Sequence, residues 1–158
     1  MLISVDQVFR AAQELVSAQL LKRRLQLEVD CPAMTSRILA NQTDFQQVLI
    51  NLLLNGADAS PEGAKLLLFA REAGATIELG VRDWGTGISE DAEKHLYDPF
   101  FTTKDAGLGT GLGLSVCPHL VDRHNGQIYY RTAAGQGTTV TLRFPARSPE
   151  GETTALKF

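Results

Sequence analysis

From Val5 the apolar positions recur with a helical period. Val5, Val8, Phe9, Ala12, Leu15, Val16 and Leu20 form one stripe, predicting a helix to about Arg23, with Ser4 and Gln7 as its capping box. Leu25, Leu27 and Val29 then alternate with polar residues, which predicts a strand that stops before Cys31–Pro32. Arg37 to Ala40 is a second short strand. A helix from about Asp44 to Ser60 opens at a second capping signal, Thr43 with Gln46, and ends at Pro61-Glu62-Gly63. Lys65–Ala70 and Ala75–Arg82 read as strands joined by a turn around Gly74. Ser89 caps a short helix to about Leu96, and another helix runs from about Gly111 to His124, where Asn125-Gly126 ends it. Gln127–Arg131 and Thr138–Phe144 form a closing hairpin around Gly135-Gln136-Gly137. Strands bunched in pairs between helices predict an α/β two-layer sandwich. Its sheet is mixed and mostly antiparallel, of about five strands, with about three helices covering one face. A doubly wound dinucleotide fold would want its glycine fingerprint after an early strand, and here the glycines come late.

Three places in this pattern carry polar chemistry. On the helix from Asp44 to Ser60, apolar residues cover most of the circumference, and Gln47, Asn51, Asn55 and Asp58 fall on one stripe. Asn and Asp are poor interior helix formers, so short amides on a narrow stripe either face something polar or mark a wet face. An Asn carbonyl oxygen suits a hard cation such as Mg²⁺. Along Ala75–Arg82, Ile77, Leu79 and Val81 point one way and Asp83 continues the alternation, so a carboxylate follows three apolar residues inward. A buried carboxylate needs donors, and the exocyclic amine of a purine is one; a turn-forming Asp before Gly85 is the competing reading. Thr138 shares the face of Val140, Leu142 and Phe144 and could complete the same pocket. Finally, DPFFTTKDAGLGTGLGLS, from Asp98 to Ser115, sets Gly107, Gly109, Gly111 and Gly113 ahead of a helix. Backbone N–H groups there can cradle an anion, although glycines alone equally describe a surface loop.

Composition narrows the class. The chain has 158 residues and a formal charge of −3, with 44% hydrophobic and 21% charged residues, the profile of one globular domain. The mild acidic balance gives no reason to expect nucleic acid or a membrane surface. No apolar run approaches the roughly 20 residues of a spanning helix, and the N-terminus lacks the form of a signal peptide. Cys31 and Cys117 have neither metal-ligand spacing nor adjacent histidines, so a reducing cytoplasmic setting is expected.

Taken together, Asn51-Leu-Leu-Leu-Asn55, Asp83-x-Gly85-x-Gly87-Ile88, Asp98-Pro-Phe-Phe-Thr-Thr-Lys104, Gly107-Leu-Gly-Thr-Gly-Leu-Gly-Leu-Ser115 and Gly135-x-Gly137-Thr138 occur in order between residues 41 and 145. This set resembles the catalytic ATP-binding domain of bacterial sensor histidine kinases, within the superfamily shared with gyrase, heat-shock chaperone and mismatch-repair ATPases. Its wording is most similar to kinases of the nitrogen-regulation, dicarboxylate-sensing and oxygen-sensing type. The resemblance implies a Bergerat-type sandwich over residues 1–147, a mobile ATP lid at about 89–110 and a loose tail at 148–158. It implies ATP and Mg²⁺ as cofactors, with Asn55 as metal ligand and Asn51 beside it near the phosphates. Asp83 would bind the adenine amine with Thr138 in support, and Gly85 and Gly87 would shape the adenine pocket. Phe100 and Phe101 would anchor the lid. Thr102, Thr103, Lys104, Gly107, Gly109, Thr110, Gly111, Leu112 and Gly113 would complete the nucleotide contacts, with Lys104 a phosphate contact.

In the superfamily's ATPases, a water-activating Glu stands four residues before the metal-binding Asn. Here that residue is Asn51, which cannot act as a base near neutral pH, so transfer to another nucleophile is favoured over hydrolysis. A stand-alone ATPase and a non-catalytic nucleotide-binding module are the alternative readings. Asp58 stands where many relatives have Lys, Asn41 where an Asp is common, and Pro118 lies early in a helix, tolerable only in its first turn. His95, His119 and His124 lack the context of a phosphoacceptor and are expected in surface or capping roles. The acceptor histidine is therefore expected on a separate dimerisation domain, with a response regulator downstream. The piece itself is expected to be monomeric and cytoplasmic, with any membrane anchoring of the full protein left open.

Overall fold

The apolar stripe that begins at Val5 forms a helix because its buried members, Val5, Val8, Phe9, Ala12, Val16 and Leu20, repeat three and four residues apart. A computed structural model describes residues 1–85, 119–133 and 135–148. In chain order the named elements are β1 (Leu2–Ile3), α1 (Val5–Lys22), β2 (Gln26–Asp30), β3 (Ile38–Leu39), α2 (Gln42–Ala59), β4 (Lys65–Ala73), β5 (Thr76–Asp83), β6 (Gln127–Ala133) and β7 (Gly137–Pro145). Residues 119–123 are helical and lead into β6. The short helix expected after Ser89, the lid, the start of the helix after the glycines and most of the tail lie outside the described residues.

Five strands form one sheet in the order β2-β4-β5-β7-β6. β2 runs parallel to β4, and every other pairing is antiparallel. The mixed, mostly antiparallel sheet is thus as predicted, and α1 and α2 pack on one face of it. Leu66 and Leu68 of β4, Ile77 and Leu79 of β5, and Leu142 and Phe144 of β7 meet Phe9 and Val16 of α1 and Leu49 and Leu53 of α2. All ten are almost fully buried, each worth about 1.5–3 kcal/mol of apolar burial. The rings of Phe45 and Phe144 stack tilted, with centroids 5.3 Å apart, and join α2 to the last strand.

The opposite face of the sheet is polar. Glu78 on β5 takes Arg71 from β4 at 3.0 Å and Arg143 from β7 at 3.1 Å, one guanidinium per carboxylate oxygen. The Arg143 hydrogen bond, with help from Arg71, holds the Glu78 carboxyl below its usual range despite burial. Alternation along β5 therefore separates an apolar face, which the helices cover, from a charged one.

Several local expectations differ in detail. Asn41, not Thr43, caps α2, its side chain accepting from the Asp44 N–H at 3.0 Å. Ser4 stands at the N-cap of α1 but its side chain makes no capping bond. Leu15 is 60% exposed, because it lies at the edge of the stripe where α1 faces away from the core. β1 was not foreseen: Leu2 and Ile3 pair with Leu39 and Ile38 of β3, a bridge too short to show alternation.

Gly80 sits where β5 meets β7, and a Cβ there would fall 1.9 Å from the Val140 carbonyl oxygen. Gly80→Ala is expected to lower stability by about 2–3 kcal/mol through overpacking, whereas Gly74→Ala changes only local backbone strain. Urea unfolding of the two variants measures this, and the same midpoint for both would contradict the pairing described.

Candidate functional site

Asp83 ends β5 on the face of Ile77, Leu79 and Val81, as its alternation requires, and is 6% exposed. Its Oδ1 accepts the Gly85 N–H at 2.9 Å and the Thr138 N–H at 3.2 Å. Among the described residues no donor reaches Oδ2. Desolvation raises the Asp83 pKa, and the two backbone hydrogen bonds only partly offset it. The carboxylate is thus fixed through one oxygen and presents the other.

Two glycines make this placement possible. A Cβ on Gly85 would lie 2.1 Å from the Ala59 carbonyl oxygen, so the turn after Asp83 can close on the end of α2 only without a side chain. Gly137 has φ +88°, and a Cβ on it would lie 2.2 Å from the Asp83 carbonyl oxygen. Gly56 brings the last turn of α2 against β5, its Cβ position 3.7 Å from the Cβ of Asp83.

On that stripe Gln47 donates through Nε2 to Asn51 Oδ1 at 3.0 Å, which orients the Asn51 amide. Asn55 is half-buried, and its Nδ2 is buried with no hydrogen-bond partner among the described residues. An orphaned amide N–H is costly in a helix that is otherwise well satisfied, unless an acceptor beyond the described residues, such as a phosphate oxygen, meets it. Its carbonyl oxygen is a hard donor, and two neutral amides in place of carboxylates leave coordination sites for water and phosphate, so the residues fit Mg²⁺. Asp58, next along the stripe, pairs with Arg23 beyond the end of α1.

The structure therefore gathers Gly85 and Thr138 on Asp83, while Asn51 and Asn55 stand on the helix whose Gly56 packs against it. Gly87, Phe100, Phe101, Thr102, Thr103, Lys104, Gly107, Gly109, Thr110, Gly111, Leu112 and Gly113 lie outside the described residues. Sequence reasoning missed Gly56, whose close packing only the crossing of α2 and β5 reveals. It also missed Thr132, whose hydroxyl lies 2.9 Å from that of Thr138 across the β6–β7 hairpin. The hairpin register, Thr132 opposite Thr138, was the available signal. Chemically, the arrangement offers a fixed acceptor for an N–H donor, an amide oxygen for a hard cation and, at Asn51, an amide that cannot serve as a base.

Comparison with known proteins agrees with this geometry. The family model described as "Histidine kinase-, DNA gyrase B-, and HSP90-like ATPase" matches residues 40–148. Sensor histidine kinase ZraS of Escherichia coli (strain K12) is 33% identical over 153 residues, covering 94% of this chain and 32% of its own. Two-component sensor PprA of Pseudomonas aeruginosa is 39% identical over 138 residues, covering 80% of this chain and 15% of its own. The chain thus spans a third or less of the length of these curated relatives. The nucleotide-free catalytic domain of histidine kinase ThkA superposes with a TM-score of 0.80 at 26% identity, covering 92% of this chain and 94% of that one.

A raised pKa makes the Asp83 contribution to stability largest below its ordinary value near 3.8 and lost as pH rises through the folded value. Asp83→Asn keeps an oxygen for both backbone donors and removes the titration. The parent's stability relative to the variant is therefore expected to fall as pH is raised from 3 towards 7. Thermal unfolding of the two proteins across that range checks the sign; a difference that grows with pH would contradict it.

Proposed function

The chain belongs to the family of histidine kinase-, DNA gyrase B- and HSP90-like ATPases, and on that premise we propose that it binds Mg·ATP and serves as the catalytic domain of a sensor histidine kinase, giving the γ-phosphoryl group to a histidine on a separate dimerisation domain. The observation that carries this reading is Asp83, buried and fixed through Oδ1 by two backbone N–H groups. Oδ2 accepts the exocyclic amine of adenine, and Thr138 supports the same edge. Gly85 and Gly87 let the flat base approach the backbone. Asn55 gives its carbonyl oxygen to Mg²⁺, which screens the phosphate charge when bound, and Asn51 lies beside it near the phosphates. Thr102, Thr103, Lys104 and the run from Gly107 to Gly113 supply phosphate donors, with Phe100 and Phe101 anchoring the segment at about 89–110.

The choice between water and histidine as nucleophile rests on Asn51. Its oxygen accepts from Gln47, and an amide has no basic lone pair at neutral pH. A water near the γ-phosphate is left without a general base, so ATP waits for a nucleophile that brings its own, as a neutral imidazole does. The named relatives are sensor kinases, which supports a phosphoacceptor domain and a response regulator as partners. Residues 1–147 form the catalytic unit, 148–158 its tail, and the piece is monomeric on the cytoplasmic side. No described helix is long and apolar enough to cross a membrane.

Titration calorimetry with a non-hydrolysable ATP analogue tests the reading. Binding is expected to require Mg²⁺. Asp83→Asn should weaken it about 30-fold, the loss of a charge-assisted hydrogen bond of ~2 kcal/mol. Asn55→Ala should abolish the Mg²⁺ dependence. Unchanged affinity in Asp83→Asn would overturn the assignment, and rapid hydrolysis by the isolated chain would favour a stand-alone ATPase.

A further inference from the structure

His124 joins two parts of the fold through both ring nitrogens. Nδ1 lies 2.7 Å from the carbonyl oxygen of Leu120, one turn back in helical residues 119–123. Nε2 lies 3.1 Å from the backbone nitrogen of Asn41, the N-cap of α2. A carbonyl only accepts and a backbone N–H only donates, so both contacts hold at once in one species: neutral imidazole with its proton on Nδ1. The ring is 12% exposed, and the chain turns sharply behind it, with Asn125 at φ +59°. Gly126 follows, where a Cβ would lie 2.5 Å from the Phe144 ring, so the backbone beneath the imidazole is seated on the core.

Among the described residues, the charged groups around the ring are few. Asp44 Oδ2, in the first turn of α2, lies 3.9 Å from Nε2, and Arg123 Nη1 reaches the same oxygen at 3.4 Å. Arg123 thus holds Asp44 from the same segment, a second link across the same gap. Asn41 is held on both sides, its side chain by the Asp44 N–H and its main-chain N–H by His124.

We infer that His124 is a positioning residue for the nucleotide site: by accepting the Asn41 N–H through Nε2 it fixes where α2 begins, and so where Asn51 and Asn55 stand relative to the segment that follows the glycine run. The inference rests on the reading of Asn55 as a nucleotide-metal ligand. α2 is a continuous helix, so a shift of its first residue carries to Asn51, about 15 Å further along at 1.5 Å per residue. The Nδ1 bond to Leu120 is local and ends its own helix; the Nε2 bond is the one that crosses between elements.

Two substitutions separate these bonds. His124→Asn places an amide donor near Nδ1, keeps the Leu120 bond and cannot reach Asn41. His124→Gln reaches the Nε2 position with an acceptor and keeps the Asn41 bond. Binding of Mg²⁺ with a non-hydrolysable ATP analogue is measured on the 158-residue chain at pH 8, after thermal unfolding has shown each variant folded. His124→Asn is expected to raise Kd about five- to tenfold, one hydrogen bond read as an equilibrium constant, and His124→Gln to stay within about twofold of the parent. Nitrogen NMR of the parent ring is expected to show the Nδ1–H tautomer, a readout that needs no variant to fold. Full affinity in His124→Asn, equal losses in both variants, or an Nε2–H ring in the parent would overturn the inference. A parent chain that binds no nucleotide would instead overturn the functional reading beneath it, and calorimetry on the parent alone reveals that.

Discussion

Burying one carboxylate at the end of a central strand constrains the surrounding structure. Asp83 continues an apolar alternation, so the pleat of β5 directs it inward with no freedom to turn away. A buried charge without donors is costly, and here two backbone N–H groups from different segments, Gly85 and Thr138, meet one oxygen. Bringing them there requires the turn after β5 to press on the end of α2 and the β6–β7 hairpin to press on the end of β5. Both approaches demand glycine, at Gly85 and at Gly137. Desolvation raises the Asp83 pKa, and the two backbone hydrogen bonds offset it only in part.

Metal chemistry is shaped by what α2 lacks. A stripe of carboxylates would hold a divalent cation firmly and would also supply a base. Asn51 and Asn55 do neither. On the proposed reading, neutral amides would leave the charge of a bound Mg²⁺ for the phosphates, and the Asn51 amide oxygen, which accepts from Gln47, would supply no base.

Most of the fold was legible in the pattern. The seven-residue stripe of α1, the amide stripe of α2 and the alternation of β5 predicted elements within a few residues of those found. What failed was short or tertiary. β1 pairs with the foreseen β3 over two residues, below the length at which its own alternation can be seen. Thr43 with Gln46 has the form of a capping box, yet Asn41 caps α2 because His124, eighty-three positions away, holds its backbone N–H and places its side chain over Asp44. In the site, Asp83 and Asn55 could be read from periodicity because each breaks an apolar rhythm. Gly56 and Thr132 could not, since their roles depend on which elements cross and in what register.

Asp58 shows how a departure from a family pattern is absorbed. It stands three residues after Asn55 on the same stripe, and on the proposed reading an unpaired carboxylate there would oppose phosphate. Arg23 removes that opposition by pairing with it from beyond the end of α1. The pair leaves the stripe neutral, and it also ties the ends of α1 and α2 together where Arg24 reaches Glu62 at 3.3 Å. That outer pair is exposed and contributes little, whereas the Asp58 side chain is only 18% exposed and loses more if its partner is removed. The guanidinium beyond the end of α1 therefore neutralises a carboxylate that α2 presents half-buried.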